Sequence, residues 1–321
     1  MGYGASADIG LARETGGWGT PAAVASGDFF YALSENVTLA IDRFETRNLV
    51  GTRSEPDDTA GLRRVGGEVI AMSHPVYLMH ALKGLTNSGS VAVVLSGFLH
   101  RFSYFTPVTD ASTLAPFPSY TFEIFRDVTS SDRYAGAQFG RGVFAVQPNQ
   151  ELRLTSTIVA KTTSTIAKTA PTFPGSPQDP FTWDSASLQI GGAAVANIEA
   201  FTFTIDNQVE AIPALNNSVE AAFMRMRGAQ LVNIGGTIGF DNRTEYNNFV
   251  TQTEQAFKLA FFKAQSFQLT FDWPRVVYTA FPLATPGRER LTVAFEGKVR
   301  YSTASATAFQ IDLTTTPKSS F

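Results

Sequence analysis

Cysteine is absent from the 321 residues. That excludes disulfide frameworks, thiolate metal sites and cysteine nucleophiles, and leaves packing and assembly as the sources of stability. Charge is scarce: 17% of residues are charged and the formal net charge is -3. This is too little, and of the wrong sign, for an electrostatic clamp on nucleic acid, which draws on clustered Lys and Arg. No apolar run approaches the roughly 18 residues of a membrane span, and Met1 to Gly10 lacks a basic stretch leading into an apolar one. The expectation is a chain that enters no membrane and stays in the cytoplasm where it is made. No G-x-S-x-G elbow or P-loop occurs, and Gly2-Tyr3-Gly4 is not followed by the strand-to-helix context of a dinucleotide fingerprint. Of the three histidines, His74 and His80 lie six apart, on nearly opposite faces of a helical turn, and cannot chelate one metal as an i, i+4 pair does. Asp57 and Asp58 follow Pro56 in a polar loop, which supplies none of the contrast in environment that an acid/base pair needs. The sequence therefore predicts no catalytic residue, no metal, no cofactor and no enzyme.

What is present is aromatic and β-rich. Phe occurs 27 times, and Thr-rich stretches are frequent; both suit pleated surfaces. Period-two alternation appears at Val37, Leu39, Ile41, at Phe122 and Ile124, and through Leu152, Leu154 and Ile158. It returns at Phe201, Phe203, Ile205, at Phe267, Leu269, Phe271, at Leu291 to Tyr301, and at Phe309, Ile311, Leu313. One apolar face per strand implies antiparallel sheets covered on one side. Two short helices interrupt the strands. In one, Ser73 is the cap candidate, Pro75 opens the helix, and Tyr77, His80, Ala81 and Gly84 follow helical spacing. In the other, Asp241 is the cap candidate, and Tyr246, Phe249, Val250 and Thr253 repeat that spacing.

The second helix and its flanks look like a copy of the first. Gly66-Gly67-Glu68-Val69 matches Gly235-Gly236-Thr237-Ile238, and Tyr77 matches Tyr246, at one offset of 169 residues. Ile41-Asp42 matches Ile205-Asp206 at 164, and Lys161 matches Lys298 at 137. This is a duplication at domain scale, not a short-period solenoid, and it favours two cores over one large one. The fold class expected is all-β dominated with a few short helices, as two tandem antiparallel β-sandwich or barrel domains, each with a flanking α-helix. The boundaries are an N-terminal arm over 1–27, a first β domain over 28–165, a Pro-rich linker or arm over 166–193, and a second β domain with a C-terminal tail over 194–321. The first copy carries extra residues between Leu85 and Tyr120.

Two long loops are the candidate contact sites between subunits. Arg43 to Arg64 mixes Arg43, Arg47, Arg53, Arg63 and Arg64 with Glu45, Glu55, Asp57 and Asp58, in a connection far longer than most hairpin loops. Asp206 to Gln230 holds Phe223, Met224 and Met226, an apolar cluster awkward in water. Both are read as arms that pack on a neighbour.

The opening Arg13-Glu14-Thr15-Gly16-Gly17-Trp18-Gly19-Thr20-Pro21 resembles the E-T-x-x-G-T-P start of the tail tube proteins of long-tailed, siphophage-type bacteriophages. Arg133-Tyr134-Ala135-Gly136-Ala137 with Gln147-Pro148-Asn149-Gln150 resembles that family's Y-x-G and PNQ segment. Phe203-Thr204-Ile205-Asp206-Asn207 resembles the strand that opens its second half. The resemblance spans nearly the whole chain and implies a tube fold in a duplicated version. It implies a structural virion protein of the tail, assembled in the host cytoplasm into stacked rings whose strands join into a barrel around a channel that conducts DNA during ejection. Implied partners are further copies of the chain, tape measure and tail terminator or tip proteins, and viral DNA passing through the lumen without specific binding. Two copies per chain predict trimeric rings with pseudo-sixfold symmetry, the alternative being hexameric rings. From other classes, a β-sandwich adhesin, spike or decoration protein is the competing reading, and a β-sandwich hydrolase would need facing carboxylates, which the sequence lacks.

Overall fold

The computed structural model describes residues 4–45, 58–94, 97–103, 117–173, 180–285, 287–288 and 290–315. Strands β1 (Asp8–Arg13), β2 (Phe29–Phe30), β3 (Ala32–Glu35), β4 (Thr38–Glu45) and β5 (Asp58–Met72) precede helix α1 (Pro75–Thr86). There follow β6 (Ser90–Val94), β7 (Gly97–Ser103), β8 (Tyr120–Phe125), β9 (Ser131–Val146), β10 (Arg153–Ala160) and β11 (Thr162–Ile166). The second half holds β12 (Ala186–Ile190), β13 (Ala193–Val195), β14 (Ile198–Asp206), the short pair β15 (Val209–Ile212) and β16 (Phe223–Met226), and β17 (Leu231–Gly239). It continues with α2 (Thr244–Val250), β18 (Gln255–Ala264), β19 (Phe267–Ala280), β20 (Thr292–Val299) and β21 (Gln310–Thr315). The all-β expectation holds, and every strand pairing is antiparallel.

One path of eight hydrogen-bonded strands organises the molecule: β4, β5, β10, β9, β14, β17, β20, β19. Alternation along it is clean, since β10 and β20 each bury every second residue and so turn one apolar face inward. The remaining strands repeat one scheme in each half. β8 and β11 flank the first part of β9, and β1 lies outside β8. In the second half β18 and β21 flank β19, and β12 lies outside β18. Residues placed by the sequence in an N-terminal arm and in a linker thus supply β1 and β12, both inside sheets.

The paired glycines have a physical cause. A side chain on Gly67 would meet the carbonyl of Asn36, and one on Gly236 would meet the carbonyl of Ala200. At both places the backbone of a neighbouring segment passes too close for a Cβ atom.

Four sequence expectations change. Most buried apolar residues form one cluster running from Ile9 to Leu313, beside a small one of Ala12, Val24 and Phe29, so the halves share a core. Rings from both sides bridge it, including Phe144 with Phe203 at 5.8 Å and Phe144 with Phe271 at 5.3 Å. The helices differ: α1 is buried along nearly its whole length, whereas α2 has no buried residue and ends at Val250. Neither cap candidate caps. The Ser73 hydroxyl donates to the Leu152 carbonyl, and Asn242, in place of Asp241, accepts the Thr244 N–H. The long loop shortens, because strand pairing runs out to Glu45 opposite Asp58. The described part of the extra segment in the first half includes the β6–β7 hairpin, and β7 pairs with β21 of the second half.

Candidate assembly site

The sequence motifs, far apart in the chain, converge on two places. At the first, the buried Glu14 carboxylate accepts hydrogen bonds from the Gly136 N–H at 2.7 Å, the Thr121 hydroxyl at 2.9 Å and the Gly19 N–H at 2.9 Å. The Trp18 indole donates to the Gly136 carbonyl at 2.9 Å, and the Lys161 ammonium lies 4.6 Å from the Trp18 ring. Gly136 has φ +68°, and a Cβ there would lie 2.7 Å from Lys161 Cβ and 2.9 Å from Trp18 Nε1. The Glu-Thr and Y-x-G motifs are therefore two sides of one contact that fastens the N-terminal segment to β9. The PNQ motif is the tight turn from β9 to β10, with Asn149 at φ +62° and the Gln150 N–H bonded to the Gln147 carbonyl, a backbone state that Asn tolerates better than most residues.

The second place is the seam between the halves. β9 carries one extra residue, Gly140, between the partners of Thr157 and Ile158. This bulge turns β9 so that its first part serves one sheet and its last part, Arg141 to Val146, sits between β10 and β14. Bulges redirect strands in this way. Asn207, fully buried, locks the seam. Its amide donates to the Leu85 carbonyl at 2.9 Å and the Phe139 carbonyl at 3.2 Å, while its N–H bonds the Gly140 carbonyl at 2.8 Å. Leu85 lies in the last turn of α1, where carbonyls have no partner inside the helix. Gln230 adds a bond to the same Leu85 carbonyl at 3.0 Å and one to the Asn207 side chain. Sequence reasoning singled out Asn207 only as part of a motif.

The predicted contact residues fall into two sets. In the first, Arg43 pairs with Asp58 at 2.8 Å and Arg64 with Asp42 at 3.0 Å, both across the β4–β5 hairpin and exposed. Such surface pairs contribute little to stability. Arg63 N–H bonds the Val219 carbonyl at 2.8 Å. Arg47, Arg53 and Asp57 lie outside the described residues. In the second set, Phe223, Met224 and Met226 form β16, paired with β15; Phe223 is exposed under the Arg225 guanidinium. This arm lies across the first half of its own chain, held by Val219 and by Glu220, which accepts from the Thr162 hydroxyl at 2.6 Å. Contacts within the chain thus account for part of what the arm touches.

His80 and His100 are buried, His80 edge-on to Tyr120 at 5.9 Å. Among the described residues no group of three His, Asp or Glu is arranged to hold a metal. Among the described residues no helix is long and apolar enough to cross a membrane. Several described ionisable groups form structural pairs. Arg275 bonds Glu254 through both nitrogens at 2.7 Å and holds its carboxyl below the usual range, and burial with the Glu245 carboxylate pushes the Tyr278 phenol up.

What the molecule does offer is edges. Among the described residues, β4 has no strand on its outer side, and Leu39, Ile41 and Phe44 on it are exposed at 37%, 44% and 66%. Unpaired edges of this kind are templates for association unless something covers them. A β-rich chain of sheet edges, apolar edge residues and purely structural ion pairs is a building block for assembly. The chain matches the phage tail tube protein family over residues 4–316 and belongs to it. Its place is accordingly the virion tail, as a structural tube protein. No curated protein matches the chain.

Proposed function

We propose that the chain polymerises as rings of three copies, stacked into a hollow tail tube that conducts DNA during ejection, and that it carries no enzymatic activity. One observation carries the reading: the eight-strand path consists of two equivalent sets of four. β4 pairs with β5 so that Thr38 faces Gly66, and β14 pairs with β17 so that Thr202 faces Gly235. Gly66 then faces Val159 on β10, and Gly235 faces Glu296 on β20. These registers reproduce the 164-, 169- and 137-residue offsets of the sequence repeat. We read them as two tube-like copies, the first beginning near Asp8 and the second near Ala186, since β1 and β12 occupy matching places.

Three chains then supply six equivalent units, and head-to-tail contacts close when the rotation per unit divides a full circle. A joined barrel of three times eight strands would also remove the free edges. A low-charge chain lines a channel without holding the phosphates that pass. The arms holding Arg43, Arg47, Arg53, Arg63 and Arg64, and Phe223, Met224 and Met226, would reach neighbouring subunits of the same or the next ring. Tape measure and terminator or tip proteins would meet the two ends of the stack. Cryo-electron microscopy of the purified protein tests this: hollow tubes with threefold rings are expected. Rings of six chains, with one copy lining the channel, would overturn the stoichiometry, and a protein that stays monomeric at all concentrations would overturn the tube reading.

A further inference from the structure

The chain contains one completed seam between its two four-strand sets, and the parts of a second one left open. In the completed seam, β14 has strands on both sides, β17 and the last part of β9. Its Phe203 and Ile205 are 1% and 0% exposed. β4 stands where β14 stands, with Leu39 at the position of Phe203 and Ile41 at that of Ile205, yet its outer side is open. The opposite end of the path lacks the matching piece. β9 runs past its bulge to Val146, whereas β19 stops at Ala280, just after its own bulge opposite Gly297 and Glu296. Residues 281–285 then have no regular structure, and 282–285 are exposed. Beside them, among the described residues, Thr292 to Phe295 of β20 pair with β17 on one side and with nothing on the other.

We infer that a second copy of this chain fills this gap: its β4 lies antiparallel against residues 281–285, which become strand on contact and extend β19 as β9 is extended. The seam between chains thus repeats the seam within the chain. The inference rests on the ring reading and adds the two surfaces and the direction of the contact. Because β4 and residues 281–285 sit at opposite ends of one eight-strand path, the contact is heterologous and propagates head to tail. Continuing the two registers past their bulges sets Ala40 opposite Ala284, as Thr204 lies opposite Val143. Since residues 281–285 become strand only with their partner, the receiving end of an isolated subunit does not present a finished edge for wrong pairing.

The absence of cysteine makes the test direct, because opposed residues of an antiparallel pair lie within disulfide reach. Chains carrying Ala40→Cys and Ala284→Cys are mixed, assembled and oxidised, with Val250→Cys on the surface of α2 replacing Ala284→Cys as control. The expected result is a shift of the monomer band to a covalent dimer on non-reducing gels, lost on reduction and missing in the control. The double variant Ala40→Cys, Ala284→Cys in one chain should close into a covalent trimer. Ile41→Asp, at a position already exposed in the subunit, should leave its melting unchanged and abolish assembly. Tubes that form with both cysteines free, or that form from Ile41→Asp, overturn this inference and leave the tube reading standing. A wild-type chain that never assembles overturns both.

Discussion

Replacing Asn207 with Ala isolates the lock between the two halves. The substitution removes two buried side-chain donations, to Leu85 at 2.9 Å and Phe139 at 3.2 Å, and deprives the Gln230 amide of one acceptor. The Asn207 backbone bond to Gly140 and the Gln230 bond to Leu85 remain. Each lost bond contributes about 1 kcal/mol net, and the stranded Gln230 amide and the small void add to this. The expected loss is about 2–4 kcal/mol. At about 2 °C per kcal/mol for a chain of this size, the melting temperature falls by roughly 4–8 °C. Location is the sharper criterion. Hydrogen exchange should accelerate together in the last turn of α1 and in β14, which Asn207 ties to each other, while β12 and β18 keep their protection. A loss below about 0.5 kcal/mol, the range of ordinary surface changes, would refute the assignment of Asn207 as the seam lock.

Gly136→Ala should cost more than 2 kcal/mol by the rough sum of a positive-φ penalty and the contacts with Lys161 and Trp18; thermal melting and a change in tryptophan fluorescence check it. Glu254, whose carboxyl is depressed by Arg275 and then Arg300, stabilises the fold above the ordinary glutamate range. That contribution disappears as pH falls through the lower folded-state value. Melting temperature measured from neutral to acid pH should therefore fall less steeply in Glu254→Gln than in the wild type, and parallel curves would count against the pairing. Deleting residues 213–222 of the β15–β16 arm should leave a folded subunit, because the arm lies over the sheet and contributes little to the core. Electron microscopy should then show no tubes; normal tubes would remove the arm from the assembly contacts.

Much of this protein was legible in the chain because its signals are local. Alternating Leu152 to Ile158 and Phe201 to Ile205 announce strands whatever they pack against, and the repeated Gly-Gly pair marks positions where a Cβ would meet a neighbouring backbone. The three offsets of the sequence repeat recur in the strand registers, since register along paired strands is a count of residues. The family motifs were readable as well, but not their meaning. That Glu14 and Trp18 clasp Gly136, or that Asn207 ties β14 to the end of α1, depends on bringing together residues more than a hundred positions apart. Capping went wrong at Ser73 and Asp241 because a short polar side chain bonds whichever partner lies nearest, and a carbonyl from β10's neighbourhood claimed Ser73. Burial also belongs to the tertiary structure alone. Leu39 and Phe203 stand on strands of similar pattern, yet one is open and the other sealed, because among the described residues only β14 has a strand on each side.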